Sequence, residues 1–232
     1  MNAPRIEIKI CGLTSPEMAV ACATAGADAI GLVFHPPSPR NLRMDQAKAI
    51  AVALPRHVAR VGVFVAQTSV EILRIADQVG LQAVQLCGPV DAAACDTFLR
   101  HDLHVVQVLR STGAELLAEA RALPLSVGVL VECGTGAQLG GTGKTWNWSD
   151  AAVLWGCRPF AIAGGLDAAT VGQAIAASGA IAVDVSSGVE RAPGVKDLAK
   201  VAAFVAAVRD AGAIGTGQVF RGARITNYER RP

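Results

Sequence analysis

Two residues that could transfer protons stand where apolar runs of the chain end. Cys11 closes the run IEIKIC, and Glu132 closes SVGVLVE. A thiol whose pKa falls toward neutrality can act as a nucleophile or a general base, although a lone cysteine is more often a small apolar core residue. A carboxyl group half removed from water has a raised pKa and can act as a general acid, whereas in an open loop it is only solvated. Both residues are therefore candidates for acid–base catalysis.

Two further segments carry residues that commonly bind anions. In HPPSPRN, residues 35–41, prolines stiffen the loop and would hold Arg40 where its planar guanidinium can grip a carboxylate, although a loop arginine is usually only solvated. The run VECGTGAQLGGTGKT, residues 131–145, contains Gly-Lys-Thr. A nucleotide-binding phosphate loop needs a glycine where Gln138 stands, so this run fails that motif.

Short aliphatic runs alternate with longer alanine-rich stretches of helical period, which is typical of repeated βα units. The predicted strands are 6–11, 28–34, 58–65, 82–87, 104–109, 126–132, 159–164 and 181–186. The helices with the clearest boundary residues run from a Ser15 cap, with Pro16 in the first turn, to Gly26; from a Ser69 cap to Gly80; and from Asp167 to Gly179. Eight strands, each followed by a helix and with no composition break between them, predict an α/β protein: a single (β/α)8 TIM barrel over residues 1–210. A doubly wound sheet would leave runs unused.

In such a barrel the loops that follow the strands form the active face, which is where Cys11, Arg40 and Glu132 would lie. Small residues after strands seven and eight build a phosphate site in many barrels, helped by a short helix N-terminus. The segments AGGLD, residues 163–167, and DVSSGVE, residues 184–190, have this composition at these two places. The sequence therefore predicts a phosphate ester as ligand, with a sugar phosphate favoured.

The composition restricts the other classes of function. Apolar residues make up 52% and aromatic residues 4%, which predicts an aliphatic core. No apolar run reaches the roughly 18 residues that span a bilayer, and the first ten residues lack the apolar block of a signal peptide, so we expect a cytoplasmic protein with no membrane partner. The net charge of +2 argues against a nucleic-acid partner, and six cysteines without a C-x-x-C pair predict free thiols and no metal. Residues 211–232 form a basic C-terminal tail that we expect to be solvated and partly flexible, with nucleic-acid contact as the weaker alternative.

Several segments resemble, in order, the phosphoribosylanthranilate isomerase family of tryptophan biosynthesis. They are KICGLT, GLVFHPPSPR, RVGVFV, VQLCG, GGTGKTWNW, AGGL, and VDVSSGVE followed by PGVKD. The resemblance extends to the region of Arg209 and leaves the arginine-rich tail outside.

The resemblance implies a reaction and a role for each candidate residue. The reaction is an Amadori rearrangement of the aminoaldose N-(5-phosphoribosyl)anthranilate to 1-(o-carboxyphenylamino)-1-deoxyribulose 5-phosphate, without cofactor or metal. By the family pattern Cys11 is the general base and Glu132 the general acid, Arg40 holds the anthranilate carboxylate, and Asp184 faces the ribose hydroxyls. The residues that would hold the phosphate are Gly164, Gly165, Ser186, Ser187 and Gly188. The small-molecule sugar phosphate is then the expected partner, with a monomer or homodimer left open.

Two positions depart from the family pattern. Glu132 stands where the family has aspartate, and the loop before GGTGKT is longer than expected. A longer carboxylate arm and a shifted loop could compensate, whereas misplacing the acid by about 1 Å would cost roughly a hundredfold in rate. Cys87 in QLCG stands where the family usually has histidine, which puts a second thiol near the mouth of the barrel.

Two other functions stay open at this point. One is an isomerase of another aminoaldose phosphate, such as the histidine-pathway isomerase, although that relative uses a pair of strand-end aspartates and strand one here ends in cysteine. The other is a sugar-phosphate-binding barrel with impaired catalysis, which Glu132 and Cys87 would favour.

Overall fold

The computed structural model describes residues 5–132, 146–212 and 218–221. In these ranges eight parallel strands pair in chain order, and the last pairs with the first to close a barrel. The strands are β1 (Glu7–Cys11), β2 (Ala29–Phe34), β3 (Ala59–Phe64), β4 (Ala83–Leu86), β5 (His104–Leu109), β6 (Gly128–Val131), β7 (Phe160–Ala163) and β8 (Ala182–Val185). The predicted (β/α)8 barrel is confirmed, and predicted and observed strand bounds differ by at most two residues.

The barrel is surrounded by α-helices. Those in the described ranges are α1 (Pro16–Thr24), α2 (Met44–Ala53), α3 (Ser69–Val79), α4 (Ala92–Arg100), α5 (Gly113–Ala122), α6 (Val171–Ser178) and α7 (Leu198–Asp210). Two connections differ from the prediction that a helix directly follows each strand. The helical element found between β6 and β7 in the described ranges is a 3-10 helix (Trp148–Leu154), and a hairpin of β9 (Glu190–Ala192) and β10 (Val195–Lys196) precedes α7.

Local hydrogen bonds decide where the helices begin. Ser15 caps α1 as predicted, because its hydroxyl accepts from the Met18 N–H at 3.3 Å. The prediction that Ser69 caps α3 is wrong, because Thr68 and Glu71 form a reciprocal capping box one residue earlier. Helix α6 begins at Val171 rather than at Asp167, since the Asp167 carboxylate accepts from the N–H groups of a preceding turn. Gly80 and Gly179 end their helices as predicted.

Two apolar cores hold the fold together. The outer core lies between the strands and the helices and includes Ile8 and Ile10 of β1. The inner core fills the barrel and includes Leu130 together with Val219 and Phe220 of the C-terminal segment, both 0% exposed. The expectation of a solvated tail is therefore wrong for these two residues, whose apolar side chains are removed from water inside the barrel. In the part of the chain that the structure describes, no helix is long and apolar enough to cross a membrane.

Candidate active site

The first strand places Cys11 above a buried ion pair. Side chains alternate along a strand, so Ile8 and Ile10 pack toward the helices while Lys9 and Cys11 lie on the inner face of the barrel. Lys9 is fully buried, and its Nζ lies 2.6 Å from Oδ2 of Asp184 on β8. Strand pairing sets this contact, because Lys9 and Asp184 are register partners in the β1–β8 pair.

The surroundings of Cys11 influence its protonation in opposite directions. The thiol is buried in an apolar cluster with Val33 and Val63, and Cys87 packs against that cluster. Burial raises the pKa of Cys11, while the Lys9 ammonium opposes the rise. Burial also lowers the pKa of Lys9, but the Asp184 carboxylate, helped by the ionised form of Cys11, outweighs it, so that the pKa of Lys9 is raised. The net direction for Cys11 is upward, opposite to the fall in pKa that a general base needs, and the fixed Lys9 cation limits that rise.

Glu132 directly follows β6 and pairs with a cation that the sequence analysis did not predict. Its side chain is 14% exposed, and its Oε2 lies 2.9 Å from Nη2 of Arg110, the residue after β5. Burial raises the pKa of Glu132, the Arg110 guanidinium opposes the rise, and the Asp184 carboxylate adds to it. The net direction is upward, which is the direction that a general acid needs.

Cys87 follows β4 and lies beside the same two candidates. Its backbone carbonyl accepts from Arg110 Nη1 at 2.9 Å. Burial raises the pKa of Cys87 to about 11, and the charges of Glu132 and Cys11 add to the rise. Cys87 is therefore a neutral thiol at physiological pH.

Arg40 is held by a carboxylate on the β9–β10 hairpin. Its Nε and Nη2 donate to the two oxygens of Glu190 at 2.8 and 2.6 Å, and Nζ of Lys196 lies 2.7 Å from Glu190 Oε1. Burial raises the pKa of Glu190, but the hydrogen bonds from Arg40 and Lys196 outweigh it and the pKa is lowered. The stem of Arg40 packs over Gly12, where an added Cβ would lie 2.3 Å from its Cδ. The guanidinium is thereby fixed next to the residue that follows Cys11.

The loops after β7 and β8 touch each other. A Cβ added at Gly188 would lie 1.9 Å from the Leu166 carbonyl oxygen, so this close approach requires glycine. Gly164 and Gly165 adopt left-handed backbone, with φ of 86° and 68°. Ser186 donates to the Cys11 carbonyl at 3.0 Å, which ties the β8 loop to the end of β1. The 3-10 helix Ser187–Val189 follows directly.

The structure thus brings the predicted residues of β1, β2, β7 and β8 around one end of the barrel. Asp184 uses Oδ2 for Lys9, and its buried Oδ1 has no hydrogen-bond partner among the described residues. The glycine run that we associated with a Gly-Lys-Thr loop, residues 133–145, lies outside the described residues. The sequence analysis missed three partners that now stand in the site, which are Lys9, Arg110 and Glu190.

A comparison with known families decides the relationship. The family model for N-(5'-phosphoribosyl)anthranilate (PRA) isomerase matches residues 8–207. The chain belongs to the phosphoribosylanthranilate isomerase family. The resemblance seen in the sequence is therefore confirmed.

Individual members of the family are similar over nearly their full length. The N-(5'-phosphoribosyl)anthranilate isomerase of Neisseria gonorrhoeae is 42% identical over 202 residues, which are 87% of this chain and 96% of the relative. The enzyme of the same name from Pseudomonas paraeruginosa is 42% identical over 209 residues, 90% of this chain and 98% of the relative. These alignments leave out at least a tenth of this chain.

Solved phosphoribosylanthranilate isomerases have the same fold. The crystal structure from Thermotoga maritima superposes with a TM-score of 0.81 at 34% identity and covers 88% of this chain and 99% of that one. A phosphoribosylanthranilate isomerase in complex with reduced 1-(o-carboxyphenylamino)-1-deoxyribulose 5-phosphate gives a TM-score of 0.77 at 32% identity, with 88% and 99% coverage.

Proposed function

We propose that the protein catalyses the Amadori rearrangement of N-(5-phosphoribosyl)anthranilate to 1-(o-carboxyphenylamino)-1-deoxyribulose 5-phosphate in tryptophan biosynthesis. The observation that carries the proposal is a thiol and a carboxyl at the ends of β1 and β6, each beside a cation. Lys9 stands by Cys11, and Arg110 stands by Glu132. A base and an acid on different strands of one barrel mouth are what a proton-transfer isomerisation requires. The family relatives described above carry this activity in their names.

In the reaction that we propose, Glu132 donates a proton to the ring oxygen of the furanose. The nitrogen lone pair then opens the ring and forms a protonated Schiff base at C1. This cation acidifies the C2 proton, which the Cys11 thiolate removes to give an enolamine. Protonation at C1 and loss of the proton from the C2 hydroxyl then give the ketone, so that no proton is gained or lost overall.

The net pKa shifts favour the required protonation state of the acid and oppose that of the base. The base must be a thiolate, and burial raises the pKa of Cys11 although the buried Lys9 ammonium limits that rise. The acid must be protonated, and burial favours that form of Glu132 against the effect of Arg110. We therefore expect a bell-shaped dependence of kcat/KM on pH, whose two limbs report the coupled pair.

Substrate binding is assigned to the remaining predicted residues. Glu190 occupies Nε and one Nη2 proton of Arg40, which leaves donors on the other edge of the guanidinium for a carboxylate such as that of anthranilate. The buried Oδ1 of Asp184 can accept a hydrogen bond from a ribose hydroxyl. The phosphate is assigned to the loops after β7 and β8, through Gly164, Gly165, Ser186, Ser187 and Gly188.

The remaining expectations stay predictions that rest on this activity. They are a cytoplasmic location, the absence of a cofactor or metal, and a monomeric or homodimeric state. The relative from Thermotoga maritima is described as dimeric.

The proposal is tested by turnover of substrate generated in situ, followed by the loss of anthranilate fluorescence. We expect Cys11→Ala and Glu132→Gln each to reduce kcat by about a thousandfold or more, because each removes one proton-transfer group. Glu132→Asp tests the length of the acid, and calorimetry with the reduced product analogue checks that the variants still bind. Binding without turnover in the wild type would identify an impaired binding barrel instead. Turnover only of the histidine-pathway aminoaldose would identify the other isomerase.

A further inference from the structure

The N-terminal end of the barrel interior is lined by unusually small residues. Barrel interiors are normally filled by bulky branched side chains of the strands themselves. Here β6 begins with Gly128, and five other strands have an alanine of the inner core at their first or second residue. The alanines are Ala29, Ala59, Ala83, Ala161 and Ala182. This end of the barrel therefore needs a filling that its own strands do not supply.

The C-terminal segment supplies that filling. Val219 and Phe220 are both 0% exposed and belong to the same inner cluster as the alanines. The Val219 carbonyl comes so close to β6 that a Cβ added at Gly128 would lie 2.7 Å from its oxygen. The same carbonyl lies 2.8 Å from Nε2 of His104, at the start of β5. The shape of the barrel end thus matches this segment at the level of single atoms.

Charged side chains hold the backbone of the segment in place. Oε2 of Glu7 accepts from the N–H groups of both Val219 and Phe220, at 2.6 and 3.0 Å. Arg221 binds the buried Asp28 carboxylate and places its Nε 3.6 Å from Glu7 Oε1. Hydrogen bonds to an ionised carboxylate are among the stronger ones in proteins. The segment is therefore bound through its main chain and its side chains.

The segment also forms the floor beneath the buried ion pair of the active site. The Phe220 ring centroid lies 5.5 Å from Nζ of Lys9, whose other partner is Asp184. Three residues of β1 that face the barrel interior thus lie in three successive layers. Glu7 binds the C-terminal segment, Lys9 pairs with Asp184, and Cys11 lies at the mouth of the barrel.

We propose that residues 219–221 form a built-in plug, for which the N-terminal end of this barrel is a dedicated binding site. The plug completes the inner core and separates the Lys9–Asp184 pair from water on that side. It lies beyond residue 207, where the match to the family ends, so it is a property of this chain that the family relationship does not supply. The inference goes beyond the proposed function, because its test reads thermal unfolding and not turnover.

A double-mutant cycle in the full-length protein tests the plug. We expect Phe220→Ala to lower Tm by about 10 °C, as for an aromatic residue removed from a packed core. Gly128→Ala should also lower Tm, because the new methyl group would displace the Val219 carbonyl. The double variant should lose less than the sum of the two, because the plug is already loosened by either change. Trp155→Ala, at an aromatic residue that is 70% exposed, is the matched control and should change Tm far less.

Two results of these measurements would contradict the plug. The other contacts of a Cβ at Gly128, 3.1 Å from His104 Nε2 and 3.4 Å from Val106 Cγ2, are milder than the one with the Val219 carbonyl. Glycine in a strand is normally less stable than alanine, so without a plug Gly128→Ala would change Tm little or raise it. That outcome, or additive losses in the cycle, would overturn the proposal. If Phe220→Ala does not yield folded protein, the cycle is run with Phe220→Leu, which keeps most of the apolar volume.

Discussion

A cation stands beside each of the two residues to which we assign proton transfer, and the two cations have opposite effects on the assigned roles. Lys9 favours the ionised form of Cys11, which is the form that a base needs, but burial outweighs it and the pKa of Cys11 is raised. Arg110 favours the ionised form of Glu132, which is not the form that an acid needs. Burial of Glu132 outweighs Arg110, so the carboxyl pKa is raised despite the ion pair. Arg110 therefore limits the rise in the pKa of Glu132 and is not the cause of that rise.

Replacing Arg110 by glutamine tests this balance. The change removes the positive charge that opposes the effect of burial, so the pKa of Glu132 should rise further. The limb of the kcat/KM profile that reports loss of the Glu132 proton should then move to higher pH. Arg110→Lys keeps the charge and should leave that limb close to the wild type. If the limb stays in place in Arg110→Gln, it does not belong to Glu132.

At the scale of single residues, the sequence was enough to predict candidate catalytic residues whose position at the end of a strand alone suggests a role in proton transfer. Cys11 and Glu132 were found because each ends an apolar run. Lys9 also interrupts such a run, but its partner Asp184 lies 175 residues away, so the pair appears only once β1 and β8 are neighbours. Arg110 directly follows β5, as Glu132 follows β6, and could have been found by the same positional rule.

At the scale of elements, the β9–β10 hairpin serves as the support for Arg40. Glu190 begins the hairpin and Lys196 ends it, and both are buried around the guanidinium contact. A guanidinium fixed in this way loses little conformational freedom when it binds a carboxylate. The hairpin therefore preorganises a side chain from the opposite loop of the site.

Glu190→Gln should weaken substrate binding more than it slows chemistry. The variant keeps the volume but loses the charge that aligns Arg40, so we expect KM to rise about tenfold with a smaller change in kcat. Arg191→Gln, at the next and exposed position of the same strand, is the control and should match the wild type. A fall in kcat at unchanged KM would contradict a role in positioning Arg40.

The elements themselves were largely predictable, because buried parallel strands are continuous aliphatic runs and helix ends carry capping residues. The start of α6 was missed because Asp167 binds the N–H groups of a turn instead of a helix. The plug was missed for a different reason. The tail that carries it, residues 211–232, has four arginines and a single glutamate, a composition typical of a solvated segment, and only the alanine-lined end of the folded barrel shows where Phe220 fits.

At the scale of the whole molecule, the candidate catalytic residues lie at one end of the barrel and the plug closes the other end. Strand β1 contributes residues to both ends. The closure depends on charged and titratable groups around the plug, which are Glu7, Asp28, His104 and Arg221. Stability should therefore depend on pH through groups that take no part in turnover.

His104 gives this dependence a definite sign. Burial lowers its pKa, while the hydrogen bond to Val219 opposes that effect only in part. The unfolded chain therefore binds a proton at His104 more readily, and the free energy of unfolding should fall as the pH drops below about 6.5 toward the folded-state pKa. Burial raises the pKa of Glu7, which acts in the opposite direction but is common to wild type and variant. His104→Gln keeps a donor for the Val219 carbonyl without a titrating group, so urea unfolding at about pH 8 and about pH 5.5 should show a smaller loss than in the wild type. His57→Gln, at an exposed histidine, is the control. If the free energy of unfolding falls equally in the wild type and in His104→Gln, the plug site does not contribute to the pH dependence.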